Sequence, residues 1–200
     1  MENGAPLAAG WRILLASQSP RRLELLRLLG LEPVVRAMDV DESFPEGWAP
    51  ESVVDLLARR KAQAGLSALG EDELLIAGDT VVSLDGHILN KPADAAEAVA
   101  MLQQLSGRTH RVATAVAVAT HAGGVHSEVD VCEVTFAPLD PTLIARYVAS
   151  GAPLDKAGAY GIQDLLGAAA IERIHGSYYT VMGLPTHCVY RMLTAVGPRG

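Results

Sequence analysis

A short stretch near the start of the chain, Ser17-Gln18-Ser19-Pro20-Arg21-Arg22, gathers two hydroxyls and two guanidinium groups around what reads as the start of a helix. A helix N-terminus leaves backbone N–H groups unpaired and carries the positive end of the aligned peptide dipoles, so anions are stabilised there. Serine hydroxyls and arginine forks add donors that suit phosphate oxygens. Ser17, Ser19, Arg21 and Arg22 are therefore candidate phosphate ligands. Taken alone, the motif serves equally well as a plain helix cap with two solvated arginines. It is not a Walker loop, since GxxxxGK[ST] is missing, and no GxGxxG follows the first apolar run.

Asp79, followed by Thr80, stands just after the apolar run Leu74-Leu75-Ile76-Ala77, and Glu42 lies in an acidic loop, Asp41-Glu42-Ser43-Phe44-Pro45. A carboxylate at the mouth of a buried strand is either a turn former or a site residue. Two such groups together can hold a divalent cation, Mg²⁺ or Mn²⁺, with substrate phosphates completing its oxygen shell. Alternatively, one of them takes a proton from an attacking water. Lys61 and Lys91 add flexible positive charge fitted to a triphosphate, although a lone lysine is usually a solvated surface group. In residues 154–163 (LDKAGAYGIQ), small residues beside Tyr160 and Gln163 permit close backbone approach to a ligand. The Gln163 amide can meet both donor and acceptor edges of a base. The histidines show no HExxH spacing, and no GxSxG surrounds any serine, so nothing favours a histidine metal cage or covalent catalysis.

Positioning these groups requires an alternation of strands and helices. Residues 12–17 form an apolar run with the character of a buried strand, followed by a leucine-rich helix from Pro20, with Ser19 as N-cap and Gly30 just past the end. A second strand is expected over residues 33–39, and a helix over 50–66 with Lys61 on its last third. Two strands, 74–77 and 81–84, are expected on either side of Gly78-Asp79-Thr80, with a tight turn at Asp85-Gly86. A helix over 93–105 precedes a long antiparallel hairpin, 111–120 with 125–136. Asp140-Pro141 opens another helix, residues 168–174 are expected as a short strand, and a last helix follows Pro185. Hairpins and crossovers together imply an α/β fold with a mixed sheet.

The 200 residues are half apolar, enough for a substantial core, and show no repeat or linker, so one compact unit is expected over residues 11–200 behind a disordered extension, 1–10. A net charge of −7 argues against a surface for polymeric nucleic acid, while a small anionic ligand needs only a local cation cluster. Cys132 and Cys188 have no CxxC spacing and read as reduced core residues. No leader-like N-terminus or membrane-length apolar run is present, so no membrane association and a cytoplasmic location are expected.

In order along the chain, LLASQSPRR, VDES, ARRKA, GDTVV, DGHILNKP, LSGRTHRVATAV, SGAPLDKAGAYGIQ and GSYYTVMGLP resemble the Maf family, over residues 13 to about 185. The resemblance implies an elongated, cleft-forming mixed sheet flanked by helices in two lobes, like that of the inosine triphosphate pyrophosphatase group. It implies Asp79 as the catalytic carboxylate and Glu42 as its metal or water partner. Ser17, Arg21, Lys61 and Lys91 would line the phosphate path, and Arg21, Thr80 and Gln163 would set base choice. The implied substrates are dTTP and UTP, cut to the monophosphate and pyrophosphate, and a homodimer is implied as well. A methylated-guanosine triphosphate substrate, or a non-catalytic nucleotide-binding role in division control, is the alternative. Three positions depart from the family pattern: Gly78 for the common Ala, Arg60 for an acidic residue before the Lys, and Asp164-Leu165-Leu166-Gly167 for a shorter Gly-x-Gly.

Overall fold

The computed structural model describes residues 7–199. One seven-stranded sheet runs through them in the order β2-β1-β3-β5-β6-β7, with β4 paired to β3 off this path. β1 (Arg12–Leu15) lies parallel to both β2 (Val34–Val35) and β3 (Glu73–Leu84). The remaining pairs are antiparallel: β3 with β4 (His87–Leu89), β3 with β5 (Thr109–Thr120), β5 with β6 (Gly124–Phe136), and β6 with β7 (Ile171–His175).

The sheet departs from the expected pattern where it matters most. Gly78-Asp79-Thr80 does not separate two strands. These residues pair with Val116, Ala115 and Thr114, so a single strand runs from Glu73 to Leu84 and cross-strand pairing overrides the turn tendency of Gly-Asp. On the other edge of β3, pairing with β1 stops at Ile76 and pairing with β4 starts at Val82. Asp79 and Thr80 thus sit at a gap in the sheet edge, just past the carboxyl end of β1. Crevices for ligands form in such places in sheets with parallel strands.

Helices cover both faces. α1 (Pro20–Leu28), α2 (Pro50–Leu66), α3 (Ala95–Leu105), α4 (Pro141–Ala149), α5 (Leu165–Ala170), α6 (Tyr178–Met182) and α7 (Thr186–Val196) follow in chain order. Along β5, Val116 and Val118 face a cluster with Leu25 and Leu26 of α1 and Val189 and Leu193 of α7. Ala113, Ala115, Ala117 and Ala119 face the opposite side, where their small side chains let Val53, Val54, Leu57 and Ala58 of α2 lie close. This period of two is the alternation of side chains across a pleated strand. A third cluster gathers α3, α4 and α5 around Phe136, Tyr147 and Tyr160. Each fully buried Leu or Val in these clusters contributes about 1.5–3 kcal/mol.

Other expectations are corrected. The second strand is confined to Val34–Val35, the two residues in register with Leu14 and Leu15, and Arg36 N–H adds a last bond to the Leu15 carbonyl before the chain leaves the sheet. Residues 165–170 form α5, leaving only Ile171–His175 as strand, and α6 stands where no helix was expected. α5 begins against the preceding backbone: a Cβ on Gly167 would lie 2.2 Å from the Ile162 carbonyl oxygen, so only glycine fits there. Residues 7–10 form a turn with Ala8 buried, and the Ala9 carbonyl accepts from Arg199 N–H, so that part of the expected extension is structured by packing. Residues 1–6 lie outside the described residues. No described helix is long and apolar enough to cross a membrane.

Candidate active site

A cleft of about 1250 Å³ opens at the gap beside β3. Its walls are the β1–α1 connection, the segment before α2, the middle of β3, Asn90-Lys91 after β4, the 155–163 loop and the end of α6. All ten residues singled out from sequence line it: Ser17, Ser19, Arg21 and Arg22; Glu42 and Lys61; Asp79 and Thr80; Lys91; and Gln163.

At the floor, Lys61 Nζ donates to Asp79 Oδ1 at 2.6 Å and lies 2.7 Å from Glu42 Oε1. Lys61 lies on the buried stripe of α2 with Val54, Leu57, Ala58, Ala62 and Gly65, and its side chain is only 10% exposed. An ammonium held in such a place requires opposite charge close by, and two carboxylates provide it. The bond from Lys61 holds the Glu42 carboxyl below its ordinary value, and the charges of Lys91 and Arg22 act in the same direction. The sequence set Lys61 on the last third of this helix, where a lone lysine is usually solvated; packing of α2 on the sheet buries it instead.

Glu42 is held by its neighbours. Asp41 Oδ1 accepts from Ser43 N–H at 2.8 Å, an Asx turn, and Arg60 donates to the carbonyl of Asp41 at 3.0 Å and to that of Ser43. The departure at Arg60 therefore clips the loop on both sides of Glu42. Two carboxylates converge on one cation, and no group of three metal-binding side chains occurs among the described residues. This donor set fits a hard divalent cation that takes one or two carboxylates and draws its other oxygens from substrate phosphates and water.

The hydroxyl of Ser19 occupies the N-cap position of α1 but makes no capping bond, so the first N–H groups of that helix are not blocked by it. Ser17 Oγ instead accepts from Ser19 N–H and from Arg22 Nη1, both at 3.1 Å. Arg22 also donates through Nε to the Gly183 carbonyl at 2.9 Å and through Nη2 to Thr80 Oγ1 at 3.3 Å. Its fork thus ties together three walls of the cleft. Burial lowers its pKa, with the Asp79 charge opposing that shift. Arg21 reaches across the cleft mouth to Asp155 Oδ2 at 3.0 Å. Lys91 is exposed and has no ion pair among the described residues within 4.0 Å.

Thr80 belongs to a hydroxyl chain. Thr114 Oγ1 lies 2.7 Å from the Thr180 carbonyl, to which it must donate, and 3.0 Å from Thr80 Oγ1. Thr114 has one proton, so Thr80 donates to Thr114 while accepting from Arg22.

Residues given no site role from sequence organise the far wall. Lys156, 8% exposed, donates to the Ala152 carbonyl at 2.6 Å and to Asp155 Oδ1 at 2.7 Å, and lies 3.4 Å from Asp164 Oδ2. Burial works against the charge of Asp155, but bonds from Lys156 and Arg21 outweigh it and leave that carboxyl lowered. Tyr160 is buried, with its hydroxyl 2.7 Å from His110 Nε2. No spacing rule marks Asp155, Lys156 or Asp164, because their partners are placed by the packing of separate loops.

Residues 12–196 match the model of a family described as Maf-like protein. Relatives named dTTP/UTP pyrophosphatase include one from Bacteroides fragilis, 45% identical over 92% of this chain and 95% of its own length. Another, from Aromatoleum aromaticum, is 46% identical over 93% of this chain and 96% of its own. Among solved structures, the Ham1 protein of Staphylococcus aureus covers 92% of this chain and 97% of its own at a TM-score of 0.53 and 15% identity, a likeness of fold.

Proposed function

This chain belongs to the Maf family, and from that premise we propose that it is a nucleoside triphosphate pyrophosphatase that hydrolyses dTTP and UTP to the monophosphate and pyrophosphate. The observation that carries the reading is the convergence of Asp79 and Glu42 on Lys61 at the floor of a cleft edged by Arg21 and Lys91.

Asp79 and Glu42 would hold a divalent cation, Mg²⁺ or Mn²⁺, which when bound would supply charge neutralisation and polarisation of the phosphate under attack. Asp79 Oδ2 is left over from the Lys61 bond and is the acceptor for a proton of the attacking water. Lys61 holds the Glu42 carboxyl in its ionised form, pairs with Asp79 and adds positive charge at the reacting end. Arg21 and Lys91 are placed to meet the triphosphate oxygens and to stabilise charge as pyrophosphate leaves. Ser17 and Arg22 shape the start of α1, whose N–H groups present further donors to phosphate. Gln163 reads the base edge in this proposal, a role supported by its exposure and its position on the cleft lining.

The test is pyrophosphate release from a panel of dTTP, UTP, CTP, GTP and methylated GTP, with Mg²⁺ and with Mn²⁺. Activity on dTTP and UTP is expected, and Asp79→Asn is expected to lower it by about 10²–10⁴-fold with the fold intact. Undiminished turnover in that variant removes Asp79 from the chemistry. A preference for the methylated purine overturns the substrate reading.

A further inference from the structure

We propose that Asp164 fixes which way the Gln163 amide faces, and so makes the site accept the imide edge shared by uracil and thymine and reject cytosine. This rests on the reading of Gln163 as the group that meets the base.

Asp164 is anchored from behind. Tyr147, 2% exposed, places its hydroxyl 2.7 Å from Asp164 Oδ2. The same hydroxyl oxygen accepts from Gly161 N–H at 3.2 Å, so the tyrosine proton is committed to the carboxylate. Lys156 Nζ, 3.4 Å from Oδ2, adds charge on that side. The other oxygen, Oδ1, accepts from Gln163 Nε2 at 3.1 Å.

An ionised carboxylate only accepts, so it binds the NH₂ end of an amide and repels the carbonyl end. Turning the Gln163 amide over would set its oxygen against Asp164 Oδ1 with no proton between them. The orientation is therefore held, and Gln163 Oε1 makes no hydrogen bond with protein among the described residues. That oxygen, on a residue lining the cleft, is an acceptor waiting for a donor.

Uracil and thymine carry a donor, N3–H, between two carbonyls. Cytosine carries an unprotonated N3, an acceptor, beside an amino group. An amide free to turn over satisfies either edge, whereas one held with its oxygen toward the base satisfies N3–H and leaves cytosine N3 facing another acceptor. The 5-methyl group lies off this edge, so the device does not separate thymine from uracil. The departure at Asp164 in the sequence thus gains a role that glycine, with no side chain, cannot fill.

The experiment compares kcat/KM for UTP and CTP in the wild type, Asp164→Asn and Gln163→Ala. Asparagine keeps the shape at 164 but offers either an oxygen or an NH₂, so the amide of Gln163 is no longer held. The UTP-to-CTP ratio is expected to fall by about 10- to 100-fold in Asp164→Asn, with turnover of CTP gained. A mere packing defect lowers both nucleotides together and leaves the ratio unchanged. If Gln163→Ala loses the ratio and Asp164→Asn keeps it, the role of Asp164 is overturned while Gln163 remains the base reader. If both keep it, the reading of Gln163 fails as well. A wild-type protein indifferent between the two nucleotides also overturns the proposal. Should the asparagine variant not fold, judged by its thermal melt, Asp164→Ser decides by the same ratio.

Discussion

Replacing Lys61 with methionine keeps the length and apolar stem of the side chain but removes the charge shared by Asp79 and Glu42. Both carboxylate oxygens lie on one nitrogen, at 2.6 and 2.7 Å, so they are no more than about 5.3 Å apart. Two negative charges at that distance repel by about 3 kcal/mol at an effective dielectric of 20. Glu42 is 59% exposed, and solvent screening reduces this to about 1 kcal/mol, or close to one pKa unit. In the wild type the Lys61 ammonium offsets this repulsion and holds Glu42 low, so in Lys61→Met Glu42 ionises later as pH rises. The acid limb of the kcat/KM profile for UTP should therefore move up by about one unit at limiting metal, and saturating Mg²⁺ should reverse the move. Turnover at neutral pH should drop by about 10²-fold through lost charge stabilisation. Nucleotide-free protein should bind Mn²⁺ about five- to tenfold more tightly, since the ammonium no longer competes for the carboxylates. Electron paramagnetic resonance of free Mn²⁺ reads this directly. An unmoved acid limb together with unchanged or weaker Mn²⁺ binding refutes the view that Lys61 serves the two carboxylates.

Arg22→Met removes donors to Gly183, Ser17 and Thr80, and should cost about 3 kcal/mol and lower Tm by about 6–12 °C. Arg22→Lys should recover little of this, because an ammonium cannot span three acceptors as a planar fork does. Lost activity with an unchanged Tm would make Arg22 a phosphate ligand rather than a clamp. His110 is buried and neutral, its pKa pushed down to about 4 by burial. Unfolding exposes it to its ordinary value, 6.5, so the unfolded chain binds the extra proton between the two values. This contribution is complete above pH 6.5 and is lost as pH falls toward 4, amounting to about 3 kcal/mol. Thermal melts of His110→Leu across that window should show a shallower fall than the wild type, and parallel curves would contradict the assignment.

The local chemistry was written in the residue order. Alternating apolar positions marked the long hairpin, the Ser-Pro pair marked the start of α1, and the SPRR and DKAGAYGIQ segments offered candidate phosphate and base ligands, because a helix terminus, a turn and a pleat are set by neighbours along the chain. Spacing also set Lys61 on the last third of a helix. What it could not convey is which charges meet. Arg22 finds its acceptors 58 and 161 residues away, and Lys61 meets Asp79 from 18 residues away. Asp79 looked like a turn residue because its strand partners, the residues of β5, lie more than thirty positions further on. Local propensity reports backbone preference within a few residues. The sharing of one buried ammonium by two carboxylates, and the pinning of one amide by one aspartate, arise only when separate elements are packed together, since charge and hydrogen-bond partners act over ångströms of space and not over positions in the chain.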